Sequence, residues 1–337
     1  MLIQEYADLR HLNTFHVSAK ARYFAEVCSA EELRETVLWA RAQQVPFMLL
    51  GQGSNILFKQ DYPGLVIELH ICGIEILADN GVQVDVRVMG GEIWHDFVLY
   101  CLDNELFGLE NLSLIPGTVG AAPVQNIGAY GAEIKDTLLT LDALEIATGN
   151  IRTFSNAECA FAYRSSVFKQ ELQGQYVICS VTFRLHKQPR LNLGYPALQQ
   201  ALADRDQATL TPRLVSETVC RIRSSKLPDH RTLGNAGSFF WNPHVSAAEY
   251  KILRQRWPQI PGYPDKEGVK IPAAWLIEQA GWKGYRAGDV GVHKEHALVL
   301  VNHGSATGAE LVALSQQIQD SVATQFGIRI LPEVRIV

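Results

Sequence analysis

The stretch "VPFMLLGQGSNILF", residues 45–58, decides the fold class of this chain. The apolar run at 45–50 predicts a buried strand, and Gly51 and Gly53 follow it as a G-x-G pair. A dinucleotide-binding βαβ unit needs a helix that begins immediately after such glycines. Here the β-prone "ILF" follows instead. The segment therefore predicts strand, glycine turn and strand, and it argues against the βαβ fold.

The glycine turn, residues 51–55, leaves two interpretations open. Consecutive backbone N–H groups in such a turn can bind an anion, but a plain tight turn has the same residues. A second glycine-rich segment, 108–133, has few charges and suits neither a helix interior nor a solvated loop. It is either an irregular crossover in the core or backbone that passes close to a ligand.

The rest of the chain mixes helical and strand-like patterns without an internal repeat or a regular βαβ alternation. Helices are predicted at 29–44, 92–104, 213–225, 273–281 and 308–327. Strands are predicted at 82–91, 138–146, 176–185, 296–302 and 331–337. The pattern predicts an α+β protein with several sheets, and 337 residues predict two or three domains.

Composition narrows the possible partners. The net charge is −5 and no run of Lys and Arg occurs, so we expect no nucleic-acid partner, while an anionic small molecule remains possible. Six scattered cysteines without a C-x-x-C pair are typical of inert thiols in a reducing compartment. No apolar stretch is long enough to span a bilayer or to form a leader. We therefore expect a cytoplasmic protein with no membrane partner.

Motifs for metal or serine chemistry are missing from the sequence. Neither G-x-S-x-G nor H-E-x-x-H occurs. His293 and His296 are three residues apart, but they enter a predicted strand, where that spacing places side chains on opposite faces. We therefore predict no metal site.

Four polar residues stand in unusual surroundings. Arg164 lies in "FAYRSSVFK", Lys226 in "RSSKLPD", Ser238 in "GNAGSFFWNP" and Glu333 in the apolar "LPEVRIV". Each residue alone is more typical of a structural role, and no periodicity relates their positions.

Six segments together resemble the UDP-N-acetylenolpyruvoylglucosamine reductase family. They are, in order, "GQGSNILF", "LIPGTVGAAPVQNIGAYG", "AYRSSVFK", "KLPD", "GNAGSFFWNP" and "LPEVRIV", and the resemblance covers nearly the whole chain. The segment "LGYPAL", with Tyr195, is similar to the type I form, in which a tyrosine loop closes over the substrate channel.

The resemblance implies an α+β protein with a vanillyl-alcohol-oxidase/PCMH-type FAD-binding fold. Two flavin-binding subdomains would be followed by an α+β substrate-binding domain. The expected boundaries are 1–70, completed by 328–337, for the first subdomain, 71–224 for the second, and 225–327 for the substrate domain. A monomer is the default state of the family.

The resemblance also implies the reaction and its cofactors. NADPH reduces FAD, and the flavin reduces UDP-N-acetylglucosamine enolpyruvate to UDP-N-acetylmuramate, a step of peptidoglycan precursor synthesis for the cell wall. Some relatives of this fold attach the flavin to a histidine near the glycine turn. Because "GQGSN" contains none, we expect non-covalent FAD.

The matched motifs imply roles for individual residues. Hydride from flavin N5 adds to the β-carbon of the enolpyruvyl group, and Arg164 and a protonated Glu333 stabilise the resulting enolate. Ser238 then donates the proton. The implied FAD contacts are Gly51, Gly53, Ser54, Asn55, Ile115, Pro116, Gly117, Thr118, Gly120, Ala121, Gln125, Asn126, Ile127, Gly128 and Gly131. The implied substrate contacts are Tyr130, Tyr195, Lys226, Asn242 and His296.

Two positions depart from the family pattern. His296 stands where relatives often carry glutamine, and Trp241 stands where a lysine is expected.

Two alternative functions remain open. A flavin oxidase on the same fold would not need Ser238. A non-catalytic UDP-sugar- or flavin-binding protein would keep its role in the variants Ser238→Ala and Glu333→Gln. The presence of all three matched catalytic positions favours the reductase.

Overall fold

The computed structural model describes residues 2–266 and 268–337. The helices are α1 (Ala30–Ala42), α2 (Trp94–Asp103), α3 (Pro196–Leu202), α4 (Pro212–Lys226), α5 (Ala247–Arg256), α6 (Ala273–Gln279) and α7 (Gly308–Phe326). The strands are β1 (Gln4–Asp8), β2 (Lys20–Val27), β3 (Phe47–Leu50), β4 (Ile56–Leu57), β5 (Tyr62–Leu69), β6 (Ile74–Asp79), β7 (Gln83–Met89), β8 (Gly128–Ala129), β9 (Ala132–Glu133), β10 (Leu138–Glu145), β11 (Ile151–Ser155), β12 (Tyr176–His186), β13 (His244–Val245), β14 (Tyr263–Asp265), β15 (Gly268–Lys270), β16 (Arg286–Ala287), β17 (Val290–Val292), β18 (Leu300–Asn302) and β19 (Arg335–Ile336).

The chain forms two compact units. The first contains the segment ending at Tyr6 together with Arg22–Gln52 and Pro63–Ser225, and the second contains Ala7–Ala21, Gly53–Tyr62 and Lys226–Val337. The three-part division expected from the resemblance stays a prediction.

A four-stranded sheet in the order β1-β2-β5-β3 is packed against α1 in the first unit. Strand β3 runs parallel to β5. The hydroxyl of Ser29 accepts the N–H of Glu32 and caps α1, and Leu33, Val37 and Ala40 lie on its buried face. The predicted helix and its cap are confirmed.

A five-stranded antiparallel sheet, in the order β11-β10-β12-β7-β6, forms the larger core of the first unit. Side chains of β7 alternate between buried and half-buried positions, as the sequence pattern predicts. Helix α2 lies over this sheet, and the rings of Trp94 and Phe97 pack against Phe183 of β12.

Short sheets organise the second unit. Their strand orders are β13-β15-β14 and β16-β17-β18, and β19 pairs with β4 in parallel. Helix α7 begins at a capping box of Thr307 and Glu310 and ends at Gly327, which has φ +71°. No helix within the described ranges is both long and apolar enough to cross a membrane.

The glycine turn joins β3 to β4, so the predicted succession of strand, turn and strand is confirmed. Three other predictions are wrong. Strand β18 is shorter than predicted because a turn, closed by the Val299 N–H on the His296 carbonyl, precedes it. The rings of His293 and His296 stack with centroids 5.3 Å apart, instead of lying on opposite faces of a strand. Glu333 lies in a bend before β19, not inside a terminal strand.

Candidate active site

The glycine turn depends on Gly53. Its φ is +60°, and a Cβ atom there would lie 2.0 Å from the carbonyl oxygen of Leu12, closer than any side chain tolerates. Its own carbonyl accepts the N–H of Thr14 at 3.2 Å. The N–H groups of Gly53, Ser54 and Asn55 donate to no acceptor in the described chain. Three adjacent donors of this kind suit an anion.

The 115–131 segment is held by close backbone packing in the first unit. A Cβ atom on Gly120 would lie 2.9 Å from the Ile178 carbonyl, and the Gly120 N–H donates to Gly90 at 2.9 Å. The side chain of Gln52 accepts the Gly117 N–H at 2.7 Å. Packing within the protein therefore accounts for Gly120, and Gln52 fixes the backbone at Gly117.

Gly51 and Thr118 also approach each other closely. A Cβ atom on Gly51 would lie 3.1 Å from Thr118 Oγ1, so a larger residue would push this threonine aside. Gly131 has φ +86° at the far end of the segment. The other predicted contacts differ in exposure: Ile127 is buried, Ala121 is exposed, and Ile115 and Gln125 are half-buried, whereas Pro116 is exposed.

Arg164 lies in a two-residue turn with a left-handed backbone. Ala162 and Ser165 exchange hydrogen bonds of 3.0 and 3.1 Å across the turn, and Arg164 has φ +51°. Its Nη2 donates to the Gly128 carbonyl at 2.5 Å. A Cβ atom on Gly128 would lie 3.3 Å from Arg164 Nη1. A non-glycine residue in this conformation stores strain, which is common at functional sites.

Asn126 supports this turn through its side-chain amide. It is fully buried, its Nδ2 donates to the Ala162 carbonyl at 2.9 Å, and its Oδ1 accepts the Lys135 N–H at 3.3 Å. Its backbone N–H donates to Pro123. The side chain of Asn126 therefore holds the Arg164 turn, and the FAD contact predicted for this residue stays a prediction.

Tyr130 and Tyr195 are brought together although they are far apart in sequence. Their rings meet edge to face with centroids 5.2 Å apart, and burial raises the pKa of the Tyr130 hydroxyl. The buried amide of Asn111 donates to the carbonyls of Tyr130 and Asn192, both at 2.8 Å. Tyr195 stays 44% exposed. One asparagine thus ties together the two segments that carry these tyrosines.

Ser238 and Glu333 lie on paired segments of the second unit. The Glu333 N–H donates to the Phe239 carbonyl at 2.7 Å, and Phe240 forms an antiparallel bridge with Pro332. Phe239 and Phe240 are buried, with rings 5.1 Å apart, whereas Ser238 and Glu333 are half-buried. The pairing places a hydroxyl and a carboxyl at the edge of an apolar wall.

A buried amide shapes the approach to Ser238. The Oδ1 of Asn235 accepts the N–H of Gly237 at 2.9 Å, and its Nδ2 donates to the Leu233 carbonyl at 2.8 Å. Gly237 has φ +69°. The turn before Ser238 is thus fixed by hydrogen bonds.

Lys226, Asn242 and His296 are placed differently. Lys226 is the exposed last residue of α4. The Oδ1 of Asn242 accepts the N–H of Ala273 at the start of α6 at 2.9 Å, which leaves the amide NH₂ as its outward donor. His296 is half-buried against His293.

Among the described residues, one group of possible metal ligands includes none of these positions. Glu26, Glu68 and His70 have ligand atoms within 4.8 Å of one another. The two ring nitrogens of His70 lie 3.7 Å from Glu26 and 3.2 Å from Glu68. Contacts of the His70 ring with two carboxylates account for this arrangement.

No sequence pattern predicts the supporting roles of Gln52, Asn111, Asn192 and Asn235. They act through hydrogen bonds to backbone, most of it distant in sequence, and no spacing in a single sequence marks such contacts.

Two family models match the chain. Residues 21–155 match an FAD binding domain, and residues 228–337 match the C-terminal domain of UDP-N-acetylenolpyruvoylglucosamine reductase. A solved structure of UDP-N-acetylenolpyruvylglucosamine reductase (MurB) from Thermus caldophilus is similar in fold, with TM-score 0.69 and 22% identity, covering 99% of this chain and 98% of that one. These matches confirm the expected α+β fold with a flavin-binding part.

Curated relatives match over the full length. The chain is 47% identical to the UDP-N-acetylenolpyruvoylglucosamine reductase of Amoebophilus asiaticus (strain 5a2), over 100% of both chains. It is 46% identical to the enzyme of the same name from Pseudomonas aeruginosa, over 98% of both chains. The chain belongs to the UDP-N-acetylenolpyruvoylglucosamine reductase family.

Proposed function

We propose that Ser238, Arg164 and Glu333 carry the chemistry of this chain. As a member of its family, the chain reduces UDP-N-acetylglucosamine enolpyruvate in peptidoglycan precursor synthesis, with FAD as cofactor and NADPH as reductant. The product of this reduction is UDP-N-acetylmuramate. In the proposal, Ser238 supplies the proton, while Arg164 and Glu333 stabilise the enolate.

The glycine turn fits FAD. The N–H groups of Gly53, Ser54 and Asn55 lack acceptors in the described chain and suit the cofactor's pyrophosphate. Bound FAD, once reduced, supplies the hydride for the β-carbon. The 115–131 segment, with Gly117 and Thr118, would hold the rest of the cofactor without a covalent bond.

The pairing of the two segments that contain Ser238 and Glu333 is the main support for the proposal. The hydrogen bond from the Glu333 N–H to Phe239 brings two matched catalytic positions from distant parts of the sequence onto neighbouring segments. Phe239 and Phe240 are buried and exclude water on one side. A hydroxyl next to such a wall is suited to protonate the α-carbon of an enolate, which is a strong base.

Arg164 would stabilise negative charge on the substrate carboxylate. Its guanidinium is oriented by the Nη2 bond to Gly128, and its backbone is fixed by the turn. Pre-oriented donors stabilise developing charge more than donors that must reorganise.

The predicted substrate contacts have matching chemistry. Lys226 provides an exposed positive charge for the substrate pyrophosphate. The NH₂ group of Asn242, which has no acceptor among the described residues, can donate to a substrate oxygen, and the half-buried ring of His296 can hydrogen-bond to the substrate. Tyr130 and Tyr195 would cover the bound nucleotide sugar with their paired rings.

We also propose a monomer that acts in the cytoplasm, with no nucleic-acid or membrane partner. Six free cysteines are typical of proteins in a reducing compartment, which supports this proposal.

Anaerobic reduction by NADPH followed by mixing with the enolpyruvyl substrate tests the proposal. We expect the substrate to reoxidise the flavin and to yield UDP-N-acetylmuramate. Reoxidation by oxygen alone would indicate the oxidase alternative, and binding without turnover would indicate the non-catalytic alternative.

A further inference from the structure

Leu114 has a backbone conformation that leucine rarely adopts. Its φ is +58°, in the left-handed region, and it directly precedes Ile115, Pro116 and Gly117. For a residue with a Cβ atom this conformation is strained, so surrounding contacts must hold it.

Both backbone polar groups of Leu114 are bound by side chains from two helices. Its N–H donates to Nδ1 of His95 in α2 at 3.0 Å. Its carbonyl accepts from Nε of Arg223 in α4 at 3.1 Å. The side chain of Leu114 is only half-buried, so these two hydrogen bonds are the main polar contacts that fix its backbone.

The contact with His95 requires a neutral ring, because Nδ1 must accept a hydrogen bond. Burial lowers the pKa of His95, Arg223 lowers it further, and Asp96 on the same helix opposes this effect. Asp96 and Arg223 are the charged groups that act on His95 among the described residues. The imidazole is therefore neutral near pH 7, as the hydrogen bond requires.

We propose that His95 and Arg223 are positioning residues that hold Leu114 in its left-handed conformation and so fix the backbone of 115–117 for FAD. This inference rests on the proposed role of the 115–131 segment in binding FAD. Neither side chain needs to touch the cofactor, since both act on Leu114, the residue that precedes the 115–117 backbone.

The test is the FAD affinity of the apoprotein, measured by flavin fluorescence after reconstitution. His95→Ala removes the acceptor, and we expect FAD to bind about 3- to 10-fold more weakly, the range of one net hydrogen bond. His95→Asn offers Oδ1 near the position of Nδ1 and should restore most of the affinity. His186→Asn, at another half-buried histidine of the same unit, should leave the affinity unchanged.

A double variant separates positioning from general damage. Glycine adopts φ +58° without strain, so in Leu114→Gly the segment depends less on its anchors. We expect His95→Ala to weaken FAD binding less in the Leu114→Gly background than in the native chain. An equal loss in both backgrounds would overturn the proposal.

The pH dependence of FAD affinity, compared between the native chain and two variants, provides a further test. The pKa of His95 is lowered from 6.5 in the folded state, so the contact is complete above pH 6.5 and is lost as the pH falls toward and through the lowered pKa. FAD affinity should fall over this window in the native chain and in His186→Asn, but much less in His95→Asn. Identical profiles in all three would overturn the role of His95. A native chain that bound no FAD would instead refute the proposed function.

Discussion

The Nδ2 atom of Asn126 donates a hydrogen bond of 2.9 Å to the carbonyl oxygen of Ala162, the residue that opens the Arg164 turn. Asn126 is itself left-handed, with φ +44°, and is fully buried. The hydroxyl of Ser166, on the other side of the turn, donates to the Val124 carbonyl at 2.7 Å. The left-handed backbone of Arg164 is thus held from both sides by the 115–131 segment.

Asn126→Asp tests this support. The carboxylate keeps an acceptor for the Lys135 N–H but places an acceptor against the Ala162 carbonyl, so the turn should loosen. We expect substrate to reoxidise the reduced flavin about 10-fold more slowly, with a smaller change in flavin reduction by NADPH. Stopped-flow measurement of the two half-reactions gives both rates.

Asn156→Ala is the matched control for Asn126. Its amide also bonds backbone in the same unit, to the carbonyls of Lys135 and Leu138 at 2.8 Å, but it does not touch the Arg164 turn. It should lower stability without a selective effect on reoxidation. The positioning role would be refuted if both variants slowed reoxidation alike.

Gly53→Ala should destabilise the protein strongly, because it combines a left-handed backbone with a clash at Leu12. We expect a loss of at least about 3 kcal/mol in the free energy of unfolding. Gly327→Ala is the matched control, since it has φ +71° with no atom within 4 Å, and should cost about 1 kcal/mol. Denaturant unfolding of the two variants compares them, and equal losses would show that the clash is relieved by movement.

Glu333→Gln tests the carboxyl at the edge of the apolar wall. Glutamine keeps the size and the backbone pairing with Phe239, but it cannot share a proton. We expect reoxidation by substrate to slow by about 10-fold or more, while reduction by NADPH continues. Glu310→Gln, at the capping box of α7, provides a control. Unchanged reoxidation in Glu333→Gln would remove this residue from the mechanism.

The Tyr195 segment should become less mobile when substrate binds. Tyr195 is partly exposed and is linked to Tyr130 mainly by ring contact. Hydrogen exchange at 192–200 should slow with substrate, and the buried α2 provides an internal reference. If exchange at 192–200 is the same with and without substrate, the segment does not close as a lid.

The sequence predicts the larger elements well but not the contacts that orient the site. The periodicity of α1 and β7 and the glycine turn are local signals, so they were predictable. The turn before β18 is not, because "HALVLV" is apolar and β-prone although its first residues form a turn. Long-range support such as that of Asn126 for Ala162 depends on packing that no local pattern shows.

The pairing of segments at the candidate active site could not be predicted from local sequence patterns either. The resemblance relates Ser238 to Glu333 through motifs alone, whereas the structure pairs their segments through Phe239. The stacking of His293 on His296 shows how an inference from spacing fails when the predicted strand is a turn.

The most direct test of the account is flavin reoxidation by the enolpyruvyl substrate in Ser238→Ala, followed anaerobically by stopped-flow absorbance after reduction with NADPH. The exposed Ser305→Ala is the control. If Ser238 is the proton donor, we expect normal flavin reduction in both variants and reoxidation slowed about 10²- to 10⁴-fold in Ser238→Ala alone. Reoxidation of Ser238→Ala at the native rate would contradict it and would leave Ser238 as part of the apolar wall.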